Sequence, residues 1–573
     1  MNLALHIGTQ ALTYVRTEEF QLKWRSLYER CPCVTACQHP DFVTPWYELY
    51  QATFLPVIVA AEAEDDSLAG LLTLALYKNG TKKLVGAGER QAEYQCWLET
   101  KDTGNTFIQE AVQKIRAHFP GVDLCLRYLP PGIPLNWILD NREYAKIFSL
   151  RSHPRPIMKI DEAAMSSQWS KKKYRRNFSR LKKSGDVQFE RITGHDQFIR
   201  VFDALCIQYD FRQGALYRYM PFSSDPAKKL FYLELHKRGL LHTTILTVDE
   251  EIAASHSGLL SHDSTVHMGI NTHAPTFAAY SPGNLLLSML GVHLVKEQIA
   301  MLDLTPGGDG YKENFATEHD VVFELTAYGD VEARLRKEAF LGAKRFLKRR
   351  LQKAGMRTAD VWTAIGKLTR FKELGFHGSL GCLREAALSS SRVYRLCADP
   401  PSSSAKPLSI SKDCLTDMFQ FDSRGSLITR WEFLSMAMAR LEKSNHLYSF
   451  RRDEKLLMCC WIDVRSGGPN QQPPGEDAAF SENAVVLFDL YVHRQLKEKE
   501  LIQCFIEQIV FELKGCHNNK NVYFSGALSD ELQAVIKQCG FCDESGKRDD
   551  FLPVTTWRRY AGFFSKGIKW MQQ

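Results

Sequence analysis

Two glycine-bearing turns in the middle of the chain carry the residue types that acyl or phosphate chemistry requires. The first is Tyr280, Ser281, Pro282, Gly283 and Asn284, and it opens directly into the apolar-periodic segment "LLLSMLGVHLV". That periodicity predicts a helix. A helix that starts on such a turn presents unpaired backbone N–H groups and the positive end of its dipole, which suit an anion. The alternative is a turn that serves packing alone.

The second turn follows the next predicted strand, in "LDLTPGGDGYKENF". Asp303 stands at the end of that strand, and Asp309, Tyr311 and Lys312 lie in the glycine-rich turn after it. Two such turns at the C-terminal ends of neighbouring strands form a cleft edge, where open α/β sheets bind ligands. The alternative is that Asp303 caps the turn and Tyr311 packs on the sheet.

The elements around these turns repeat along the chain. An order of helix, hairpin, strand, helix and strand is predicted for 10–150 and again for 151–330, which indicates a tandem duplication. The segment 331–406 is predicted as a basic helical connector over 331–375 followed by a Ser/Pro-rich linker at 388–406. The same rhythm returns in 407–573.

The bulk composition is that of a globular protein with several domains. The chain has 573 residues, 44% of them hydrophobic and 24% charged, with a formal net charge of +7. No apolar run approaches the ~18 residues that a membrane span needs, and the N-terminus shows no signal-peptide pattern. The scattered cysteines are typical of reduced, buried thiols. We therefore predict a cytoplasmic location and no transmembrane segment.

One cysteine cluster invites a comparison with metal sites. Cys31, Cys33, Cys37 and His39 lie together in "CPCVTACQH". Their spacing matches no usual zinc pattern and no second pair follows, so loop or core cysteines are favoured and no metal is predicted.

The paired motifs "YSPG-x-LL" and "DLTPGGD-x-YK" resemble the acetyltransferase domain of the CelD-like group in the GNAT superfamily, which is linked to cellulose or exopolysaccharide biosynthesis. The upstream "KKKYRRNFSRLKKSG" resembles the basic helix that precedes that domain. The resemblance extends to the Fem-type aminoacyl ligases, which carry tandem GNAT units. It implies an α/β fold of tandem GNAT-like units with mixed, mostly antiparallel sheets, and a third, degenerate unit at the C-terminus.

The resemblance also implies roles for individual residues. The amides of the turn Tyr280–Asn284 would cradle the coenzyme A pyrophosphate, although this turn has one glycine and a proline where the general signature is Arg/Gln-x-x-Gly-x-Gly/Ala. Asp303 or Asp309 would act as the base and Tyr311 as the acid of N-acyl transfer. Lys312 would pair with a phosphate of the cofactor. Acetyl-CoA or another acyl-CoA is the implied co-substrate, without a metal.

The first and third units lack this turn. In the third, the glycine-free stretch "HRQLKEKE" (493–500) replaces it, so that side chains would crowd a pyrophosphate. A single working site in 151–330 is therefore predicted, transferring an acyl group to an amine such as an amino sugar or an envelope precursor. The alternatives are a Fem-type ligase that uses aminoacyl-tRNA, and a non-catalytic accessory protein of polysaccharide synthesis.

Two basic stretches, 171–183 and 334–350, are predicted either as solvated helix faces or as contacts for an anionic partner such as a carrier lipid, a nucleotide, tRNA or a membrane surface.

Overall fold

The computed structural model describes residues 2–100, 104–353, 391–398, 407–424, 428–465, 483–517 and 520–544. The chain forms two compact units. The first comprises residues 1–210, 220–274 and 280–356, and the second comprises 211–219, 275–279 and 357–573.

The first part of the chain, up to residue 147, combines six strands with six helices. The strands are β1 (Asn2–Ile7), β2 (Phe54–Glu62), β3 (Leu68–Tyr77), β4 (Lys83–Gly86), β5 (Leu98–Glu99) and β6 (Asp123–Leu129). The helices are α1 (Thr9–Arg16), α2 (Glu18–Arg30), α3 (Pro40–Tyr50), α4 (Thr106–His118), α5 (Asn136–Leu139) and α6 (Arg142–Ile147).

The next part of the chain repeats this mixture. Its strands are β7 (Phe148–Lys159), β8 (Val187–Ile192), β9 (Leu241–Val248), β10 (Glu251–Ser261), β11 (Thr265–His273), β12 (Met301–Asp303) and β13 (Glu318–Ala327). Its helices are α7 (Glu162–Ser170), α8 (Lys172–Leu181), α9 (His195–Tyr217), α10 (Pro221–Ser224), α11 (Pro226–Lys237), α12 (Pro282–Lys296) and α13 (Val331–Lys353).

The C-terminal part forms a separate sheet with its own helices. The strands are β14 (Ser391–Leu396), β15 (Ile410–Lys412), β16 (His446–Arg452), β17 (Lys455–Val464), β18 (Ala484–Val492), β19 (Asn521–Ala527) and β20 (Phe541–Asp543). The helices are α14 (Leu415–Phe419), α15 (Arg430–Leu441), α16 (Lys499–Cys516) and α17 (Asp530–Gln538).

The first two parts share one continuous sheet. Its strands run in the order β1-β2-β3-β4-β6-β13-β7-β12-β11-β10-β9-β8, and β5 pairs with β3. The last strand of the second part, β13, lies between β6 and β7 and pairs with both in the antiparallel sense. Because β13 is hydrogen-bonded to β6 on one side and to β7 on the other, the two halves share one continuous sheet.

A strand, helix, strand crossover with parallel strands occurs three times. β4 and β6 flank α4, β11 and β12 flank α12, and β18 and β19 flank α16, each pair being parallel. Parallel neighbours need such a crossover connection, and a helix is its usual form. The predicted fold class, α/β with GNAT-like units built on mixed sheets and flanking helices, is confirmed.

Several local predictions need correction. The Ser/Pro-rich stretch predicted as a linker contains the strand β14, which pairs with β19 and β20. The side chains of Val393 and Tyr394 are buried, so this part of the stretch belongs to the core of the C-terminal sheet. The predicted first domain begins at residue 10, yet β1 already forms the sheet edge beside β2. Of the basic helix predicted over 331–375, α13 accounts for the part up to Lys353, and 354–375 lies outside the described residues.

Two cysteines of the predicted cluster pack inside a hydrophobic core. Cys31 and Cys37 belong to a buried apolar core that also holds Trp24 and Trp46. His39 instead accepts a hydrogen bond from the backbone N–H of Asp41 at the start of α3. Across the described ranges, no group of three or more His, Cys, Asp or Glu side chains is arranged to hold a metal ion. In the same ranges, no helix is both long and apolar enough to cross a bilayer.

Gly258 sets the spacing between β10 and β11, the strand that carries His267. A Cβ added at Gly258 would lie 2.3 Å from the His267 carbonyl oxygen, which is backbone and cannot rotate away. We expect Gly258→Ala to lower the free energy of unfolding by ~1–3 kcal/mol through overpacking, measured by urea denaturation. Gly308→Ala is the control, since a Cβ there meets no atom of the described chain within 4 Å. Equal stabilities of the two variants would contradict this explanation of the glycine.

Candidate functional site

The parallel strands β11 and β12 stay together for only three residue pairs. Thr265, Val266 and His267 align with Met301, Leu302 and Asp303, and there β12 ends. β11 continues to His273, paired on its other side with β10. The two strands are therefore not paired beyond the His267–Asp303 pair, and the region between the end of β12 and the rest of β11 is called the wedge. The C-terminal ends of parallel strands are where α/β sheets bind ligands.

Helix α12 begins close to the end of β11 on the predicted turn. Its first residue is Pro282, and the preceding Ser281 has a left-handed backbone with φ 54° and makes no side-chain capping hydrogen bond. A proline at the first position is common because its missing N–H would be unpaired there anyway. The first turn contains no acidic residue. This helix start therefore has neither a side-chain cap nor an acidic residue, while the Asn284 backbone N–H already donates to the Ser281 carbonyl oxygen at 3.1 Å.

A side-chain carbon would be tolerated at Gly283. The nearest atom to an added Cβ, His273 Nδ1, lies 3.8 Å away, which is ordinary van der Waals contact. Tyr280 ends a short 3₁₀ helix, and Ser281 links it to α12, which begins at Pro282. A phosphate group at this position would meet backbone N–H groups and the helix dipole together.

The basic helix α8 lies beside the same turn. The Arg180 guanidinium stands 5.4 Å from the ring centroid of Tyr280, a cation–π distance. The residues 171–183 therefore place positive charge next to the start of α12. A groove of about 710 Å³ runs along α7 and α8, lined by Trp169, Ser170, Lys172, Arg175, Arg176, Phe178, Ser179 and Lys182.

Asp303 lies at the bottom of the wedge and is fully buried. Its Oδ2 accepts hydrogen bonds from the Tyr94 hydroxyl (2.5 Å) and from Arg155 Nη1 (3.3 Å), and lies 2.9 Å from His267 Nδ1. Its Oδ1 accepts the Thr305 backbone N–H at 2.8 Å. Both carboxylate oxygens are thus engaged by buried protein groups.

The charge of this carboxylate is stabilised by its partners. Burial by itself would raise the pKa of Asp303, but the hydrogen bond and charge of His267, together with Arg155, hold the pKa below its ordinary value. Arg155 also binds Asp320 through Nε and Nη2 at 2.8 and 2.6 Å, so one guanidinium joins two carboxylates. Burial lowers the pKa of Arg155, yet these carboxylates outweigh burial and raise it.

The chain of hydrogen bonds continues beyond His267. His267 Nε2 lies 2.9 Å from the Ser261 hydroxyl oxygen, which in turn accepts the backbone N–H of Ala36 at 2.8 Å. The order Ser, His, Asp is that of a hydrolytic triad. Here Ser261 is buried and its oxygen already accepts the Ala36 N–H. This series of hydrogen bonds therefore connects the two halves of the first compact unit.

The second predicted turn places three residues around the wedge. The Tyr311 hydroxyl lies 3.5 Å from Met268 Sδ, on the part of β11 that has left β12. Lys312 Nζ donates to the Thr305 carbonyl oxygen at 3.1 Å and lies 3.7 Å from Asp309 Oδ2. Burial lowers the pKa of Lys312, against the opposing effects of Asp309, Glu93 and Asp303. Asp309 itself is half exposed.

The sequence did not point to four residues of this site. Tyr94, Arg155 and His267 contact Asp303 directly, and Glu93 acts electrostatically on Lys312. Burial raises the pKa of Glu93, which also lies 3.5 Å from Arg127 Nη2. A carboxylate with a raised pKa near a lysine with a lowered pKa is typical of functional sites. None of these residues lies in a glycine-bearing motif, so the spacing gave no signal for them.

The sequence comparisons identify one domain of the chain. Residues 170–313, about a quarter of the chain, match the family model described as the acetyltransferase (GNAT) domain. The match contains both predicted turns, α8 and the whole of the wedge. Residues 170–313 are thus similar to GNAT acetyltransferase domains. No curated protein matches the chain.

Solved structures similar to this chain share little sequence with it. FemX is 11% identical with a TM-score of 0.38, over 53% of this chain and 95% of that one. L-PGS from Bacillus licheniformis is 12% identical with a TM-score of 0.34, over 54% and 91%. A tandem GNAT protein from the clavulanic acid biosynthesis pathway is 11% identical with a TM-score of 0.32, over 57% and 99%.

Proposed function

We propose that the wedge between β11 and β12 is the site of N-acyl transfer from an acyl-CoA, with acetyl-CoA as the first candidate, to an amine. The observation that carries this proposal is the start of α12, which has no side-chain cap, beside two strands whose pairing ends, within the residues that match the GNAT domain. An amino sugar or another precursor of an envelope or exopolysaccharide, as in the CelD-like group, is the proposed acceptor.

Two parts of an acyl-CoA, the pyrophosphate and the extended arm with its amide groups, can each be given a place in the wedge. The turn from Tyr280 to Asn284 would hold the pyrophosphate with backbone N–H groups, and Arg180 on α8 adds positive charge nearby. Below the turn, the edge of β11 from Met268 to His273 faces no described strand on the β12 side. An extended ligand with amide groups can pair with such an edge through backbone hydrogen bonds.

The proton transfers require one acceptor and one donor. The amine must lose a proton to form the new C–N bond, and the thiolate released when the C–S bond breaks must gain one. We assign the first step to Asp309, whose carboxylate is half exposed, and the second to Tyr311, whose hydroxyl reaches across to Met268. Asp303 then serves as a positioning residue, because its oxygens already accept buried hydrogen bonds.

The turn can be tested at Gly283. A tryptophan there would fill the space that we assign to the pyrophosphate, whereas an alanine Cβ fits beside His273. We expect Gly283→Trp to weaken acetyl-CoA binding by roughly tenfold to a hundredfold, equivalent to ~1.4–2.8 kcal/mol, while Gly283→Ala changes it little. Isothermal titration calorimetry measures the affinity, and thermal unfolding without ligand checks that both variants fold.

Two results would contradict the proposal. One is that no acyl-CoA at millimolar concentration binds to or thermally stabilises the unaltered chain, since a ligand that binds the folded state must raise its stability. The other is an unchanged affinity in Gly283→Trp. Binding of aminoacyl-tRNA in place of acyl-CoA would favour a Fem-type ligase, for which the basic helix α8 beside the turn is the supporting observation. A cellular phenotype that stays intact in Gly283→Trp would favour a non-catalytic accessory role.

A further inference from the structure

Helix α13 carries a high positive charge for its length. Its sequence, VEARLRKEAFLGAKRFLKRRLQK, contains nine Lys or Arg residues and two Glu residues, a formal charge of +7 over 23 residues. The whole chain of 573 residues has the same formal charge of +7. The remainder of the protein is therefore neutral overall, and the excess of positive charge can be assigned to this one helix.

Beyond Val331 at its start, the same helix exposes four further large apolar side chains. Leu335, Phe340, Phe346 and Leu347 are 61, 64, 63 and 59% exposed. Successive residues of an α-helix are rotated by about 100° around its axis. Leu335 and Phe346 therefore lie in one row along the helix, and Phe340 and Leu347 lie in a second row about 120° around the axis from the first. Ala339 and Ala343 lie between the rows. The helix thus has an arc of exposed apolar side chains, which Glu332, Arg336 and Arg350 interrupt.

The basic residues fill most of the opposite side. Lys337, Lys344 and Lys348 lie on the far side from the apolar arc, with Arg345 and Arg349 beside them. All residues from Ala343 to Arg350 are exposed. Two arginines, Arg336 and Arg350, lie within the arc, and the Arg350 guanidinium stands 5.3 Å from the Phe346 ring centroid. Long basic side chains can cover apolar surface with their stems and keep the charge at its rim.

The start of the helix is held on the rest of its unit. Arg334 donates a hydrogen bond to the Ala145 carbonyl oxygen and pairs with Glu338. The Asp330 carboxylate accepts the backbone N–H of Ala333. These contacts lie in the first two turns, whereas the exposed aromatic and basic residues extend over the turns that follow.

We propose that α13 is a docking surface for an anionic lipid bilayer, on which it lies parallel to the membrane plane. A helix with aromatic and leucine side chains on one arc and Lys or Arg on the other is the form of an interfacial helix. Its apolar arc enters the boundary of the acyl chains, and its basic side meets the anionic headgroups. Each Lys or Arg near such a surface adds to the attraction.

Charge complementarity and the apolar arc together select this partner over two others. A nucleic acid would neutralise the basic side but leave Phe340, Phe346 and Leu347 in water. A second copy of this chain would cover the apolar arc but bring two helices of +7 charge together, which is electrostatically unfavourable. An anionic bilayer both covers the apolar arc and neutralises the basic side of the helix.

The test is sedimentation of the full chain with lipid vesicles. We expect binding to vesicles of phosphatidylcholine with one third phosphatidylglycerol, and much weaker binding to pure phosphatidylcholine. The double variants Phe346→Ser/Leu347→Ser and Lys344→Glu/Lys348→Glu should each reduce the bound fraction by tenfold or more. The altered side chains are exposed, so circular dichroism and the unfolding temperature should remain unchanged.

A matched control changes the same charge elsewhere. Lys78→Glu/Lys82→Glu alters two exposed lysines at the turn between β3 and β4, and we expect it to retain vesicle binding. The proposal is overturned if the unaltered chain does not sediment with anionic vesicles, if the control loses binding as the α13 variants do, or if Phe346→Ser/Leu347→Ser converts a dimer into a monomer without affecting vesicles. Retention of RNA with no vesicle binding also overturns it. Acyl-CoA affinity is independent of every one of these outcomes.

Discussion

Replacing Asp303 by alanine is expected to lower the free energy of unfolding by about 3–5 kcal/mol, because it leaves buried charged and polar partners uncompensated. Tyr94, Arg155 and His267 all direct hydrogen-bonding atoms at the Asp303 carboxylate from elements far apart in sequence. The Thr305 backbone N–H would also lose its acceptor. Urea denaturation of the full chain measures the loss.

Three further variants separate the contributions to this loss. Tyr94→Phe removes one hydroxyl and one hydrogen bond, so ~1–2 kcal/mol is expected. Asp303→Asn keeps the volume but lacks the negative charge beside Arg155, and should fall between the other two. Asp309→Ala is the control, since that carboxylate is half exposed and surface ion pairs contribute ~0–1 kcal/mol. A stable Asp303→Ala that has lost only acyl transfer would instead make Asp303 the catalytic base.

Local chemistry explains which parts of the site were predictable. The turn from Tyr280 to Asn284 and the segment Asp303 to Lys312 are continuous in sequence, and their glycines, proline and apolar periodicity determine a turn followed by a helix. The fold class followed in the same way, from the recurrence of helix and strand patterns. The structure places these segments on either side of the opening between β11 and β12.

The partners of Asp303 could not be obtained in this way. Tyr94 is separated from Asp303 by 209 residues and Arg155 by 148. Those contacts exist because β13 joins the sheets of the two halves, which brings β7 beside β12 and the first half beside the wedge. A single sequence contains no periodicity that specifies such a pairing between distant strands. The strand β14 was not predicted for a related reason. It is short, serines and prolines lie near it in the sequence, and its pairing partners β19 and β20 are distant along the chain.

Mild acid is expected to destabilise the first compact unit through two histidines buried beneath α12. Burial lowers the pKa of His256 to about 3 and that of His242 to about 4. Within the described chain, neither ring nitrogen of His256 has a hydrogen-bond partner. The charged or titratable groups around them are Arg191 on β8 and Glu297 and His293 on α12. His242 Nε2 lies 2.6 Å from Glu297 Oε2.

The sign of the effect follows from these lowered values. The unfolded chain binds a proton at each histidine below about pH 6.5, whereas the folded chain keeps both neutral until pH 3–4. The stabilisation is therefore complete above pH 6.5 and decreases as the pH falls, by ~1.4 kcal/mol per pH unit for each histidine. At pH 5 the two together should have reduced the free energy of unfolding by ~4 kcal/mol.

The variant His256→Leu isolates one of the two protons. We expect its free energy of unfolding to depend on pH with a slope smaller by ~1.4 kcal/mol per pH unit between pH 5 and 6, measured by urea denaturation at several pH values. At pH 7 it should be as stable as the unaltered chain or more so, because a leucine removes two buried nitrogens that lack partners. The exposed His118→Leu should leave the slope unchanged.

This pH window separates the two histidines from the carboxylates of Asp303 and Glu297. Ordinary Asp and Glu residues titrate near pH 4, and the pKa of Asp303 and of Glu297 is lower still, so between pH 5 and 6 both stay ionised in the folded chain. An unchanged slope in His256→Leu would therefore mean that this imidazole already exchanges its proton with solvent in the folded chain. The space beneath α12 would then be open to water, and the helix that supports the proposed anion site would be less firmly packed than its buried leucines indicate.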